Sequence, residues 1–320
     1  MKDADMTRTG SDSGLGHAAA IPQTTGAAFA AYEAVRHRLP PAGRPGACIA
    51  AETLDDIAGH FDAFLLDAFG VLNIGETAIP GVADRIAGLR ARGKRVMVVS
   101  NAAGLPQATL VAKYARLGYD FAPEDVISSR AALLAGMAGW PRLSWGIMAN
   151  PEVGLADLEA LDVTYLQDDP AAYAAVEGFL LVGSGVWTAR RQQMLEAALI
   201  ARPRPVLVGN PDIVAPCEAG FSIEPGFYAH RVAEILGVVP EFFGKPYGNI
   251  YDLAFRRLGP DVPPERIVMV GDSLHTDILG AQTAGIGSAL IAGYGFFAGH
   301  DAQAAIAGSG IRPDYVLARP

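Results

Sequence analysis

FLLDAFGVLNIG, residues Phe64 to Gly75, opens on an apolar run that stops abruptly at an acid. Ala63, Phe64, Leu65 and Leu66 do not alternate with polar residues, so the segment suits a strand buried on both faces, as in a parallel sheet. Asp67 follows at once. Burying a carboxylate is costly unless it is paired, so an acid at this point calls for a partner such as a metal ion. The carboxyl end of a strand is also where open α/β sheets bind ligands. Gly70 and Gly75 permit a tight turn close to a ligand. A helix N-cap or turn former is the plain alternative for Asp67.

Outward from this stretch the chain alternates. Pro80 and Gly81 open a helix through Arg92, Lys94 to Ser100 reads as the next strand, Leu105 to Leu117 as a helix, and Asp125 to Ser129 as a short strand. Strand–helix–strand alternation predicts a parallel sheet with right-handed crossovers. Between Ser100 and Lys245 lies far more chain than one crossover needs. The excess has its own predicted strands, Trp145 to Ala149, Val163 to Leu166, Gly178 to Val182 and Val206 to Gly209, with a helix over Ala189 to Ala201. The expected division is therefore a core over 45–140 and 238–320 with an inserted α/β domain over 141–237. The core resumes with a helix over Tyr247 to Leu258, a strand over Ile267 to Val270 and a helix over Leu279 to Ala284. Strands Ser288 to Ile291 and Tyr315 to Leu317 complete it. Residues 1–44, rich in Gly, Ala, Ser, Thr and Pro, read as a flexible leader with one helix-like piece from Ala27 to Arg38.

Three further segments carry polar residues at strand ends: VMVVSN (Val96 to Asn101), GKP (Gly244 to Pro246) and IVMVGDSLHTD (Ile267 to Asp277). Together with the Asp67 stretch, and in this order, they resemble the four motifs of the haloacid dehalogenase-like hydrolase superfamily. The resemblance covers most of Asp56 to Ala292, and GDSLHTDILGAQTAG is its most specific part. GNPDIVAP (Gly209 to Pro216), lying in the insert, resembles a pocket-forming segment of the class IIA (NagD-like) branch. That branch carries a large α/β cap between its second and third motifs. The implied fold is a doubly wound, Rossmann-like α/β core with an inserted α/β cap.

The implied chemistry is phosphoryl transfer, which needs a nucleophile, a charge clamp and usually a divalent cation. Asp67 can act as nucleophile through an aspartyl-phosphate. Mg²⁺ prefers oxygen ligands, and Asp67, Asp272 and Asp277 supply them; by resemblance the backbone carbonyl of Phe69 joins them. For Asp272 and Asp277 the alternative is turn and N-cap duty. Ser100 and Asn101 are candidates to hold phosphate oxygens, or simply form a turn. Lys245, one of only four lysines with Lys2, Lys94 and Lys113, reads as a phosphate clamp or else a solvated surface lysine. Asn210 and Asp212 are candidate substrate-binding residues, or an Asx-turn closing a strand. His275 is expected to face solvent.

One position departs from the family. Most of these phosphatases place a second aspartate two residues after the nucleophile as general acid and base, and here that residue is Phe69. A positioned acid/base typically contributes ~10²–10⁴-fold, so turnover is what the departure puts in question.

Composition narrows the field. The chain has 320 residues, 51% hydrophobic and 18% charged, as a folded globular protein does. A net charge of −9 without a basic stripe argues against a nucleic-acid partner. Cys48 and Cys217 stand alone, which speaks against a cysteine metal site. No apolar run is long enough for a membrane span, and the polar N-terminus lacks a signal-peptide core. A cytoplasmic protein follows, with a homodimer one option for its assembly. The expected function is a Mg²⁺-dependent phosphatase acting on a small, sugar-phosphate-like metabolite. Its rivals are a non-catalytic relic that binds a phosphorylated ligand and a metal-independent haloacid dehalogenase.

Overall fold

The computed structural model describes residues 22–217 and 220–320. Strand Ala63–Leu66 lies inside a seven-stranded sheet. In spatial order the strands are Ile49–Ala51, Tyr315–Leu317, Gly287–Ile291, Ile267–Gly271, Ala63–Leu66, Arg95–Ser100 and Val126–Ser128, all parallel. Neighbouring residues in a strand face opposite ways, and the core divides accordingly. Phe64, Leu66, Val96, Val98, Val268 and Val270 enter one apolar cluster, and Ala63, Leu65, Met97, Val99, Ile267 and Met269 enter another. Helices Val82–Ala91 and Gln107–Arg116 cover the first face; helices Ser129–Met137 and Gly248–Leu258 cover the second. The core is doubly wound, as the unbroken apolar run predicts. Phe64, Leu65 and Leu66 are fully buried and contribute roughly 1.5–3 kcal/mol each, which holds the strand end rigid beneath Asp67.

From this strand the chain steps to Arg95–Ser100 on one side, and later returns as Ile267–Gly271 on the other. That is a topological switch point, and the crevice outside the carboxyl ends of such strands is a binding site.

A second, five-stranded parallel sheet has the order Glu241–Phe242, Val206–Val208, Gly178–Leu181, Ser144–Met148, Asp162–Tyr165. Four of its strands lie where the sequence predicts them. The fifth, Glu241–Phe242, carries this sheet past Gly237; it hides in sequence because Pro240 precedes it and it is two residues long. An antiparallel hairpin, Val214–Cys217 with Gly220–Ile223, was also not legible, since Pro216 interrupts its pattern. Among the described residues both cysteines are free, and no helix is long and apolar enough to cross a membrane.

Of the expected flexible leader, residues 1–21 lie outside the described residues. Within residues 22–44 the expected helix-like piece over Ala27 to Arg38 is present as a helix over Thr25–Ala34 and a short turn over Arg36–Arg38, but it is docked rather than flexible. Helix Thr25–Ala34, capped by the Thr24 hydroxyl, buries Ala28 and Tyr32 among Leu274, Ile278 and Phe296. The Tyr32 hydroxyl accepts a hydrogen bond from Ile213 N at 3.2 Å and donates to Val214 O at 3.3 Å. Alanine has the lowest intrinsic cost in a helix, which makes the helix legible, and one tyrosine anchors it, which composition does not show.

Candidate active site

Leu66 and Val270 are partners in adjacent strands, so Asp67 and Asp272 leave the sheet side by side. Asp277 arrives on the wide helical turn Leu274–Ile278 that follows. One carboxylate oxygen from each of the three lies within 4.8 Å of the others. Glycines make room for this approach. A Cβ on Gly271 would come within 2.0 Å of Asp277 Cγ, and one on Gly295, at φ +69°, within 1.8 Å of Asp272 Oδ2. Gly271→Ala is therefore expected to displace Asp277 and lower Mg²⁺ affinity about 10-fold or more, the scale of a disturbed ligand set. Isothermal titration with Mg²⁺ checks this, and unchanged affinity would contradict the packing.

Lys245 is 1% exposed, not the surface lysine that the sequence left open. Its Nζ lies 2.6 Å from Asp277 Oδ1 and 2.7 Å from Asp67 Oδ1. Burial works against the ammonium, but Asp277 and Asp67 outweigh it and hold the lysine protonated, above its ordinary range. Burial likewise pushes Asp277 up to about 7, with Lys245 opposing and Asp67 adding to the rise. Asp272 is raised well above the usual carboxylate range by burial, then by Asp67 and Asp277. One ammonium thus faces three crowded carboxylates.

The free oxygens show what else fits. Asp67 Oδ1 accepts from Ala68 N and faces Lys245. Asp277 uses both oxygens, toward Lys245 and Ser273 N. Asp272 Oδ2 accepts from Phe296 N at 2.7 Å. Asp67 Oδ2, Asp272 Oδ1 and the Phe69 carbonyl accept no hydrogen bond among the described residues. Hard oxygen donors around excess negative charge suit Mg²⁺.

The cluster opens into a cavity of about 340 Å³, whose walls include Phe69, Ser100, Tyr114, Asp212 and Glu224. Ser100 is buried in its lining. Asn101 reaches the cavity, but its amide is engaged. Oδ1 accepts from Lys245 N at 2.8 Å, while Nδ2 donates to Lys245 O at 2.9 Å and to Asp212 Oδ1 at 2.8 Å. Asn210 is engaged too: it accepts from Asp212 N at 3.0 Å, forming the Asx-turn, and donates to Glu224 Oε2 at 3.0 Å. His275 does not face solvent. It is buried, stacked 5.1 Å from the Tyr32 ring, with Nε2 2.5 Å from Glu33 Oε1. The docked leader helix covers it.

Sequence reasoning missed Tyr32, Tyr114 and Glu224 as cavity walls. Tyr114 sits on a helix whose apolar stripe reads only as core. Glu224, just ahead of Pro225, reads as a helix-start acid.

Residues 64–142 match the family model described as haloacid dehalogenase-like hydrolase, and residues 242–319 match a second model for hydrolases of the same kind. The glycerol-3-phosphate phosphatase of Rattus norvegicus is 30% identical over 266 residues, an alignment spanning 76% of this chain and 82% of that protein. The chain belongs to the haloacid dehalogenase-like hydrolases. Its second sheet between the second and third motifs places it in class IIA, and it is a phosphatase of that family. A hydrolase of this family from Brucella suis 1330 superposes with a TM-score of 0.70 at 27% identity, covering 84% of this chain and 99% of that one. A glycerol phosphate phosphatase from Mycobacterium tuberculosis, solved in complex with magnesium, shares the fold with a TM-score of 0.66 at 22% identity, covering 82% and 76%.

Proposed function

We propose that this phosphatase hydrolyses the monoester of a small, sugar- or glycerol-phosphate-like metabolite by way of a phosphorylated Asp67. The observation that carries the reading is the cluster of Asp67, Asp272, Asp277 and Lys245 at the sheet's switch point, opening into a cavity sized for a small molecule. Asp67 Oδ2, the oxygen without a partner, attacks phosphorus. The Lys245 ammonium and the Ser100 hydroxyl offset charge on the phosphoryl oxygens. Asn101 braces the backbone of Lys245 from both sides, and Asn210 holds the turn that presents Asp212. Asp67, through the carboxylate oxygen that does not attack, would hold Mg²⁺ together with Asp272, Asp277 and the Phe69 carbonyl, and the ion when bound supplies Lewis-acid neutralisation of the phosphoryl charge.

The inserted domain, expected over 141–237, contributes Asn210, Asp212 and Glu224 to the same cavity as Asp67. Cap residues over the reacting centre exclude water and select the substrate. A cytoplasmic setting and a homodimeric assembly complete the proposal. The test is a panel of glycerol phosphates and sugar phosphates assayed with Mg²⁺ and again after EDTA, with 2-haloacids alongside. Turnover of at least one ester is expected, falling about 10²-fold or more on chelation, since a Lewis acid contributes several kcal/mol. Halide release that survives EDTA would favour the dehalogenase. Tight phosphate-ester binding without turnover would favour the relic.

A further inference from the structure

Phe69 stands where the family's acid and base usually sits, and a phenyl ring transfers no proton. The cavity must therefore supply a proton donor from elsewhere if alkyl esters are to be cleaved. The Tyr32 hydroxyl is occupied with the backbone of Ile213 and Val214. Glu76 is paired with Lys113 at 2.7 Å. Glu224 is bonded to both Asn210 and Ser222. Tyr114 is buried, which raises its hydroxyl and makes it a reluctant acid. Asp212 differs from all of these. Its Oδ1 accepts from Asn101, its Oδ2 accepts no hydrogen bond among the described residues, and the residue lines the cavity.

We propose that Asp212, carried by the inserted domain, is the acid–base residue of this site and takes over the function that Phe69 cannot perform. The inference rests on the phosphatase reading above. Direct contacts tie Asp212 to the nucleophile: Asp212 to Asn101 at 2.8 Å, Asn101 to the Lys245 backbone at 2.8 and 2.9 Å, and Lys245 Nζ to Asp67 at 2.7 Å. The Asn210 turn fixes the Asp212 backbone, so the carboxyl is oriented before substrate arrives. Its protonation suits the task. Burial, against the opposing Asn101 hydrogen bond and Lys245 charge and with help from Asp67 and Glu224, pushes it up to about 8. The charged and titratable groups that act on it are Asp67, Lys245, Glu224 and Tyr32.

The steps balance. Asp67 Oδ2 forms a bond to phosphorus as the ester P–O bond breaks, and the Asp212 proton passes to the leaving oxygen, releasing the alcohol. Asp212, now a carboxylate, takes a proton from water as that water attacks phosphorus. The Asp67–phosphorus bond breaks, inorganic phosphate leaves and Asp212 is again protonated.

The test compares glycerol phosphate with p-nitrophenyl phosphate, whose acidic leaving group needs little protonation. Pre-steady-state burst and steady-state rates are measured with Mg²⁺ for the wild type, Asp212→Asn and Asp212→Glu. Asp212→Asn is expected to lower the burst rate on the alkyl ester by ~10²–10⁴-fold, with KM changed little and the aryl burst reduced far less. Asp212→Glu should recover part of the alkyl rate. In the wild type, alkyl kcat/KM should hold below about pH 8 and fall above it as the acid loses its proton, a limb that Asp212→Asn removes. Equal losses on both esters, or a loss expressed in KM alone, would show Asp212 to be a binding residue and overturn the proposal. A wild type that cleaves the aryl ester but no alkyl ester would overturn it as well, and the sugar- or glycerol-phosphate substrate with it, while leaving hydrolysis through Asp67 standing. Hydrolysis of neither ester would bring down both.

Discussion

Replacing Asp67 with Asn is expected to reduce turnover at least about 10⁴-fold, the size of effect seen when an enzyme loses its nucleophile outright. The change is nearly isosteric. The Asn oxygen can still accept from Ala68 N, as Asp67 Oδ1 does at 2.8 Å, so the strand end should keep its shape. What is lost is the carboxylate oxygen that attacks phosphorus. Removing this charge also relieves its neighbours, because Asp67 helps to raise both Asp272 and Asp277. Against this relief stands the loss of one of the two carboxylates paired with buried Lys245, Asp277 remaining as the other, so the variant should fold with a stability near that of the wild type while being inactive. Rapid-quench mass spectrometry supplies the second readout: a phosphoryl group on the peptide containing Asp67 in the wild type, and none in the variant. Residual activity within tenfold of the wild type would place the nucleophile elsewhere and end the aspartyl-phosphate mechanism.

The two halves of this site differed in how visible they were before folding. Asp67 and Asp272 were legible because each ends a run apolar on both faces, and such a run has few places to go other than the middle of a parallel sheet. The doubly wound core followed from the same runs. Lys245 and Asp277 were legible as motif residues, but their ion pair was not, since nothing in linear spacing says that Nζ will reach Asp277 Oδ1. Burial of Lys245 and His275 was invisible for the same reason: each is covered by elements distant in sequence, the leader helix in the case of His275. Tyr32 lies over 30 residues before the first motif, in a helix-like piece of the leader that was expected to be flexible. Asn101 and Asn210 both line the cavity, as candidate substrate-binding residues should, and their side-chain amides are engaged with Lys245, Asp212 and Glu224. A residue type that can hold a ligand can equally hold the residue that does, and only the hydrogen-bond partners tell the two apart.

Lys245 makes the sharpest contrast. Read from sequence as an exposed clamp, Lys245→Ala should cut kcat/KM by at least ~10²-fold and leave the melting temperature nearly unchanged, because an exposed lysine contributes little to stability. The lysine is instead buried between Asp67 and Asp277, so its removal strands a carboxylate cluster without its cation. Breaking a buried ion pair from one side costs about 3–5 kcal/mol, against a total domain stability of roughly 5–15 kcal/mol. Lys245→Ala is therefore expected to lose kcat/KM by about 10²-fold or more and, in metal-free buffer, to melt markedly lower. The pH dependence has a definite sign. Without the ammonium, Asp277 and its neighbours are held above their unfolded pKa values, so the folded state binds more protons than the unfolded one and stability falls as pH rises. The melting deficit should be small near pH 5 and large near pH 8. Mg²⁺ should restore much of it, because a ligand that binds only the folded state raises stability by mass action, and here it would also replace the missing positive charge. The Mg²⁺-induced melting shift should accordingly be larger in Lys245→Ala than in the wild type. Differential scanning calorimetry at both pH values, with and without Mg²⁺, gives all four numbers. A variant that melts with the wild type at pH 8 in EDTA would mean that Lys245 does not neutralise this cluster, and its assignment as the charge clamp would fall too.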